Sequence, residues 1–443
     1  MWTTRTKRMG RVFGLLLMGV ALPAHATDGY FQQGFSTREK ALGGAGAASP
    51  DDAMTIANNP AGLADVGSQL EIGMGWFRPG LQYSASGTEV VAPGLVQSGR
   101  DDFPLPNFGF SRQIDASSAW GVAVYANGGF GTSYGTPAAS PFCALVGAGA
   151  AGVYCGGPKT GVTLDQAVIS PGYAAKFGSV SIGIAPLIVV QMFQDFGLAP
   201  FGAFSGAPGN LSSRGADYSV GLGVRLGLEW RVTDKLRIAA TGATPSVGTD
   251  FSRYRGLFAD HGQLSAPGQV GVGVAYDILP ALTVMVDYKR IFFGGQAAVG
   301  NGAANLGLIP LGSTGGPGFG WQDLNMVAIG AEWRVRKDLR LWAGFNWCND
   351  PITPSNVTLN ILAPAVITQQ YSIGFGYEID GYQTIEFSAM AAPRAYQSGP
   401  EALVAGAPTP GSIITLSAQE FEATATYIYR FDEPTHQVVA AKY

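Results

Sequence analysis

Few side chains in this 443-residue sequence have an obvious capacity for covalent or metal chemistry, because only three are cysteine and three are histidine. Cys143 and Cys155 share one Gly/Ala/Pro-rich stretch, and in an oxidising compartment that spacing predicts a disulfide within a loop. Cys348 is left over and is expected as a packed, unpaired thiol. His25 falls in the N-terminal leader, so His261 and His436 are too few for histidine-dependent hydrolysis, and catalysis is not expected. No Cys/His cluster has metal-ligand spacing, and Asp51-Asp52 reads as a turn or helix cap, so neither metal nor cofactor is expected. Gly221, Gly223 and Gly227 imitate a dinucleotide loop at the wrong spacing and without the following helix. Asp287 and Lys289, and Glu332 and Arg334, are inward charges expected to pair with one another or with an interior segment, and contact of Lys289 or Arg225 with a ligand carboxylate is the alternative.

Those residues must be positioned by strands. At the N-terminus, Arg5, Lys7, Arg8 and Arg11 precede the apolar run 12–22 and an Ala24-His25-Ala26 cleavage pattern, so residues 1–26 read as a secretory signal peptide. Its removal takes away four basic residues and no acid, leaving 23 basic against 31 acidic and a net charge of −8. Nucleic acid is therefore not a partner. No later stretch offers the ~20 consecutive apolar residues of a helical membrane span.

From about Gln69 onward the pattern alternates with period two. In 215–231, Tyr218, Val220, Leu222, Val224, Leu226, Leu228 and Trp230 share one face, and Asp217, Ser219, Arg225 and Glu229 the other. Fourteen strands are expected, at about 69–83, 103–113, 118–130, 165–177, 179–192, 214–231, 235–250, 264–278, 281–293, 322–335, 338–348, 367–380, 382–392 and 419–431. Their connections alternate between very short and long. An even number of such strands, short turns at one end and long loops at the other describe an outer-membrane barrel. The fold class is all-β: a transmembrane antiparallel β-barrel of about 14 strands, spanning 68–431. Strand one should pair with strand fourteen, since no sheet edge can be left open in lipid.

Residues 27–67 do not alternate, and a fourteen-strand cylinder is too wide for wall side chains to fill, so this segment is expected inside as a plug. It holds Asn59-Pro60-Ala61 in TIANNPAGLADV, preceded by a helix-like stretch, ALGGAGAASPDDAM. Together with WGVAVYANGGFGT and GFNWCNDPITPSN, this resembles the FadL/TodX family of outer-membrane transporters for long-chain fatty acids and other hydrophobic compounds. The resemblance implies an N-terminal hatch carrying Asn59, Pro60 and Ala61. It also implies a third strand kinked at Asn127, Gly128 and Gly129 beside that turn, leaving a lateral gap in the wall. Glycine inside a strand independently marks a bend. The resemblance further implies an exposed capture groove on the loops after strands five and seven, holding Phe196, Leu198, Phe201, Phe204, Phe251, Tyr254, Leu257 and Phe258.

The expected function is passive uptake of hydrophobic small molecules, foremost long-chain fatty acids, by a monomer in a Gram-negative outer membrane, in contact with its lipid and lipopolysaccharide. The same architecture carrying aromatic or other hydrocarbons is one alternative, and a general porin or adhesive barrel is another. Residues 432–443 depart from the family pattern of ending at an aromatic residue and are expected as a periplasmic tail.

Overall fold

The computed structural model describes residues 28–135, 138–146 and 151–431; the signal peptide expected at 1–26, Thr27 and the tail expected at 432–443 lie outside the described residues. Fourteen strands make one closed antiparallel sheet: β1 Gln69–Pro79, β2 Phe103–Asp115, β3 Ser118–Gly131, β4 Gly161–Phe177, β5 Val180–Phe196, β6 Asp217–Arg231 and β7 Leu236–Ala243, then β8 Gln269–Leu279, β9 Leu282–Ile291, β10 Leu324–Arg336, β11 Leu339–Cys348, β12 Gln369–Glu378, β13 Gln383–Gly399 and β14 Ile413–Arg430. Three short pieces, Gln82–Ser86, Gly94–Gln97 and Val247–Gly248, extend the wall beyond β1 and β7. The seam is closed: β1 pairs with β14 from Gln69↔Arg430 to Pro79↔Glu420 and with β2 from Gln69↔Ser111 to Phe77↔Phe103.

The period-two pattern sets the two faces of this wall. On β6, Tyr218, Leu222 and Leu226 are more than half exposed, whereas Ser219, Arg225 and Glu229 between them are buried. An outward apolar face and an inward polar one suit a barrel in lipid, and the outward rings form two belts. Trp76, Trp347 and Tyr218 lie toward the long-loop ends of their strands, and Trp120, Trp230, Trp333 and Tyr429 toward the short-turn ends. Indole and phenol rings favour the boundary between lipid tails and water. No helix among the described residues is long and apolar enough to cross a membrane.

Six connections are tight, among them Gly178 and Gly381, whose positive φ of 64° and 79° a residue with a Cβ adopts only with strain. The seven connections at the other end are long and interlock. Glu401 of the β13–β14 loop accepts the backbone N–H groups of Glu89, Val90 and Val91 at 2.7, 2.9 and 2.7 Å, tying that loop to the β1–β2 loop. Cys143 and Cys155 are disulfide-bonded, and Cys348 is a buried free thiol.

Residues 28–67 pack against the inner face of the wall. Helix α1, Thr37–Ala41, starts at Ser36, whose hydroxyl accepts the Glu39 N–H at 3.1 Å; α2 is Thr55–Asn58. The stretch between them was expected to be helix-like but consists of turns. Gly43 and Gly44 take φ of 70° and 90°, a conformation that stops a right-handed helix.

Candidate functional site

The site is built where the wall is incomplete. The β2–β3 ladder runs from Asp115↔Ser118 only as far as Asn107↔Tyr125. Both strands continue, β2 back to Phe103 and β3 on to Gly131. Past Tyr125, β3 stays bonded to β4 through a register shift between Ala126 and Gly128, a bulge that turns the strand inward. All of its residues from Tyr125 to Gly131 are buried.

The edge that β3 turns away from β2 is occupied by the N-terminal segment. Gly129 donates its N–H to the Tyr30 carbonyl at 2.8 Å, Gln32 donates to the Asn127 carbonyl at 3.4 Å, and Phe31 bridges Gly128 in the antiparallel sense. The Gln32 side-chain amide donates to the Ala126 carbonyl at 2.5 Å. Tyr30–Gln32 is thus a surrogate strand, and glycine at 128 is what lets it approach: a Cβ there would overlap the Tyr30 carbonyl oxygen. From the kink an amide relay runs outward. Asn127 donates to Gln166 at 3.2 Å, Gln166 to Gln191 at 2.6 Å, and Gln191 to the Leu264 carbonyl at 2.9 Å in the β7–β8 loop.

Aromatic rings close over this clip. Tyr30 lies 5.1 Å from Phe293, 5.9 Å from Trp321 and 6.0 Å from Phe130, centroid to centroid; Phe130 meets Phe319 at 5.7 Å. Most of these contacts are edge-on or tilted, the arrangement that ring quadrupoles favour. Trp321 is pinned by its indole N–H to Asn360 at 2.6 Å. An apolar molecule in the barrel beside the kink would meet these rings.

The rest of the N-terminal segment is held by charge. Arg38 pairs with Glu332 of β10 at 2.7 Å, Asp51 with Arg340 of β11 at 2.7 Å, and Lys40 with Glu422 of β14. The Asp287 carboxylate accepts the N–H groups of Gly46 and Ala47, both at 2.9 Å. Buried pairs of this kind register one element against another, because removing either member strands its partner in a dry site.

Several expected site residues are found elsewhere than the sequence suggested. Asn59-Pro60-Ala61 does not lie beside the β3 kink. It opens a 3-10 turn, Pro60–Ala64, and sits against β5 and β6, where added Cβ atoms on Gly183 and Gly227 would overlap it. Asn59 donates to the carbonyls of Ala47 at 2.8 Å and Leu228 at 3.3 Å. Gly183 pairs with Ala174 and Ala174 with Ala119, nine positions along β3 from Gly128 and on the order of 30 Å away at about 3.3 Å per residue. Glycines at 183 and 227 therefore form the cradle for the turn, and Tyr30–Gln32 takes the place expected of it.

The residues expected to line an open groove are packed instead. Leu198, Phe201, Phe251, Tyr254 and Phe258 are buried, and Phe196, Phe204 and Leu257 partly so. Phe193 of β5 gathers three of them, with centroids 5.9 Å from Phe251, 4.8 Å from Tyr254 and 4.6 Å from Phe258. Long loops crowded at one end bury their apolar side chains against each other. Arg225 is also engaged, donating to the Asn58 carbonyl at 3.1 Å. Lys289 is buried in the field of Asp28 and Asp287. Among the described residues no group of three His, Cys, Asp or Glu side chains could hold a metal.

Sequence reasoning passed over Pro104 and Pro106, which lie on β2 where its ladder with β3 has ended. The signal was present, since proline within a strand run marks an edge.

No family model matches the chain, and no curated protein matches it. Solved structures do. The chain is similar to the P. putida toluene transporter TodX, at 16% identity over 90% of this chain and 99% of that one, with a TM-score of 0.67. It is similar to a Pseudomonas aeruginosa FadL homologue at 14% identity, 91% and 100% coverage and a TM-score of 0.65. The Ralstonia pickettii toluene transporter TbuX gives 19% identity, 90% and 99% coverage and a TM-score of 0.60. The chain has the FadL/TodX fold.

Proposed function

We propose, on the premise of that fold, that the chain is a passive outer-membrane channel for uptake of hydrophobic compounds, with residues 27–67 as its hatch and the interval between β2 and β3 as a lateral exit. The observation that carries the reading is the early end of the β2–β3 ladder beside a ring-lined clip. A molecule leaving there passes from an apolar interior into lipid and never has to be hydrated. The driving force is the transfer of its apolar surface, about 25 cal/mol per Å² if it would otherwise meet water. No energy source is required.

Entry is from the long-loop side, where the cluster around Phe193, Phe251, Tyr254 and Phe258 must loosen to admit a guest. For substrate class, uncharged aromatic or aliphatic hydrocarbons fit best. Rings surround the clip, and both expected carboxylate contacts have prior partners: Arg225 has the Asn58 carbonyl, and Lys289 has two carboxylates nearby. A long-chain fatty acid is the second reading, favoured by Lys289 being a buried ammonium in the lumen, and its carboxylate would have to compete with Asp28 and Asp287. Three of the solved structures named above support transport, two being toluene transporters and one a FadL homologue.

Uptake is the test. Cells carrying the chain in their outer membrane should accumulate labelled monoaromatic faster than cells with an empty vector, and oleate should compete weakly. The purified protein in a planar bilayer should pass little steady ionic current. Large persistent conductance without accelerated uptake would replace this reading with a general porin.

A further inference from the structure

An open strand edge facing lipid is costly, because each unpaired backbone donor or acceptor there has no water to bond. The gap between β2 and β3 has two edges, and each is handled differently. On β3 the clip of Tyr30–Gln32 takes up the backbone groups. On β2 the residues past Asn107 are Pro106, Leu105, Pro104 and Phe103, and prolines have no N–H to leave unpaired.

The direction of the missing donors follows from the ladders. Along a strand, backbone N–H and C=O groups of alternate residues point to the same neighbour. A Cβ on Gly121 of β3 would meet the Phe110 carbonyl oxygen, so that carbonyl points toward β3. Residues 108, 106 and 104 share its parity. The opposite ladder agrees, since β1 stays paired with β2 straight through Met74↔Pro106 and Trp76↔Pro104. The donors that proline deletes are therefore those that would bond a straightened β3.

We infer that Pro104 and Pro106 are positioning residues that keep β2 from pairing with the outer half of β3, so that the gap is a standing feature of the wall and the clip of Tyr30–Gln32 is the part of the exit that moves. The inference rests on the lateral exit proposed above and assigns its fixed and its moving edge. A guest crossing the β2 side meets pyrrolidine rings and no amide donor. On the β3 side it must displace a short backbone pairing and not unzip the barrel.

The test is Pro104→Ala/Pro106→Ala in the full-length chain, inserted in lipid nanodiscs, with amide exchange read without substrate. New N–H groups at 104 and 106 should pair with β3, and their exchange should be slower than that of an exposed amide by about tenfold or more. Uptake of the labelled hydrocarbon should fall while its binding to the purified protein is retained. Fast exchange at both new amides overturns the inference, and so does slow exchange with uptake at the wild-type level. If the double variant does not insert, Pro106→Ala alone adds one donor next to the last ladder pair and is read in the same way. Failure of the channel reading is separable, because it would show as wild-type uptake no faster than the empty vector whatever the exchange result.

Discussion

Gly128→Ala should loosen the N-terminal clip without unfolding the barrel. A Cβ at 128 would overlap the Tyr30 carbonyl oxygen and lie 3.0 Å from the Phe31 Cα, so the clip has to move away from β3. Two backbone bonds depend on that approach, Gly129 to Tyr30 at 2.8 Å and Gln32 to Asn127 at 3.4 Å. A backbone hydrogen bond contributes about 1 kcal/mol net, and a buried group left unpaired costs about 1 to 3 kcal/mol. With both bonds weakened and one group left dry, the clip loses about 2 to 3 kcal/mol, which shifts its opening equilibrium on the order of 30- to 150-fold at 1.4 kcal/mol per decade. Amide exchange resolved at Gln32 and Gly129 should quicken by about that factor, with β6 and β14 amides unchanged. Gly135→Ala is the control, since a Cβ there meets nothing within 4 Å. Unchanged exchange at Gln32 and Gly129 in a well-inserted Gly128→Ala protein would refute the claim that backbone proximity at 128 holds the clip.

Leu226→Arg, on the lipid face of β6, should cost about 2 to 4 kcal/mol in a refolding titration, whereas Arg at Tyr218 near the outer end should cost about 1 kcal/mol or less; equal costs would mean the strand does not cross a bilayer. Glu332→Gln removes one member of a buried pair and should free Arg38, destabilising the seating of α1 by about 3 to 5 kcal/mol, read as faster exchange at residues 38–42. In unreduced peptide maps Cys143 and Cys155 should appear linked, and Cys348 should resist alkylation until the barrel is denatured.

The wall was legible because a residue's parity along a strand decides whether it meets lipid or lumen, and that choice repeats in every strand. Hence β3, expected at 118–130, is Ser118–Gly131, and β11, expected at 338–348, is Leu339–Cys348. The first part of β14 was missed: expected from 419, it begins at Ile413, where loop pairing with Gln82–Ser86, not alternation, extends the strand. The site was less legible. That 128 needs glycine could be suspected from the sequence, but which segment presses on it is a contact between positions nearly a hundred residues apart, and local spacing carries no record of it. The same limit misplaced Asn59-Pro60-Ala61. Its real neighbours, Gly183 and Gly227, sit in strands whose alternation gives no hint of a cradle. Burial of Phe251, Tyr254 and Phe258 is likewise a property of loops meeting in space.

The anchoring of the N-terminal segment also constrains the order of assembly. Lys40, near the beginning of the described chain, is paired with Glu422 on the last strand, and Arg38 reaches Glu332 on β10. The seam between β1 and β14 can form only after the final strand has been made, by which time the segment has long been synthesised. A barrel that closed first would present it with a finished cylinder to enter, and Arg38 and Lys40 would have to cross the outer or inner rim unpaired. Closure around a segment already lying in the trough of the open sheet avoids that barrier. A segment made before the wall would then act as the former on which the last strands are wrapped, and a chain lacking Arg38 and Lys40 should close more slowly even where its finished wall is sound.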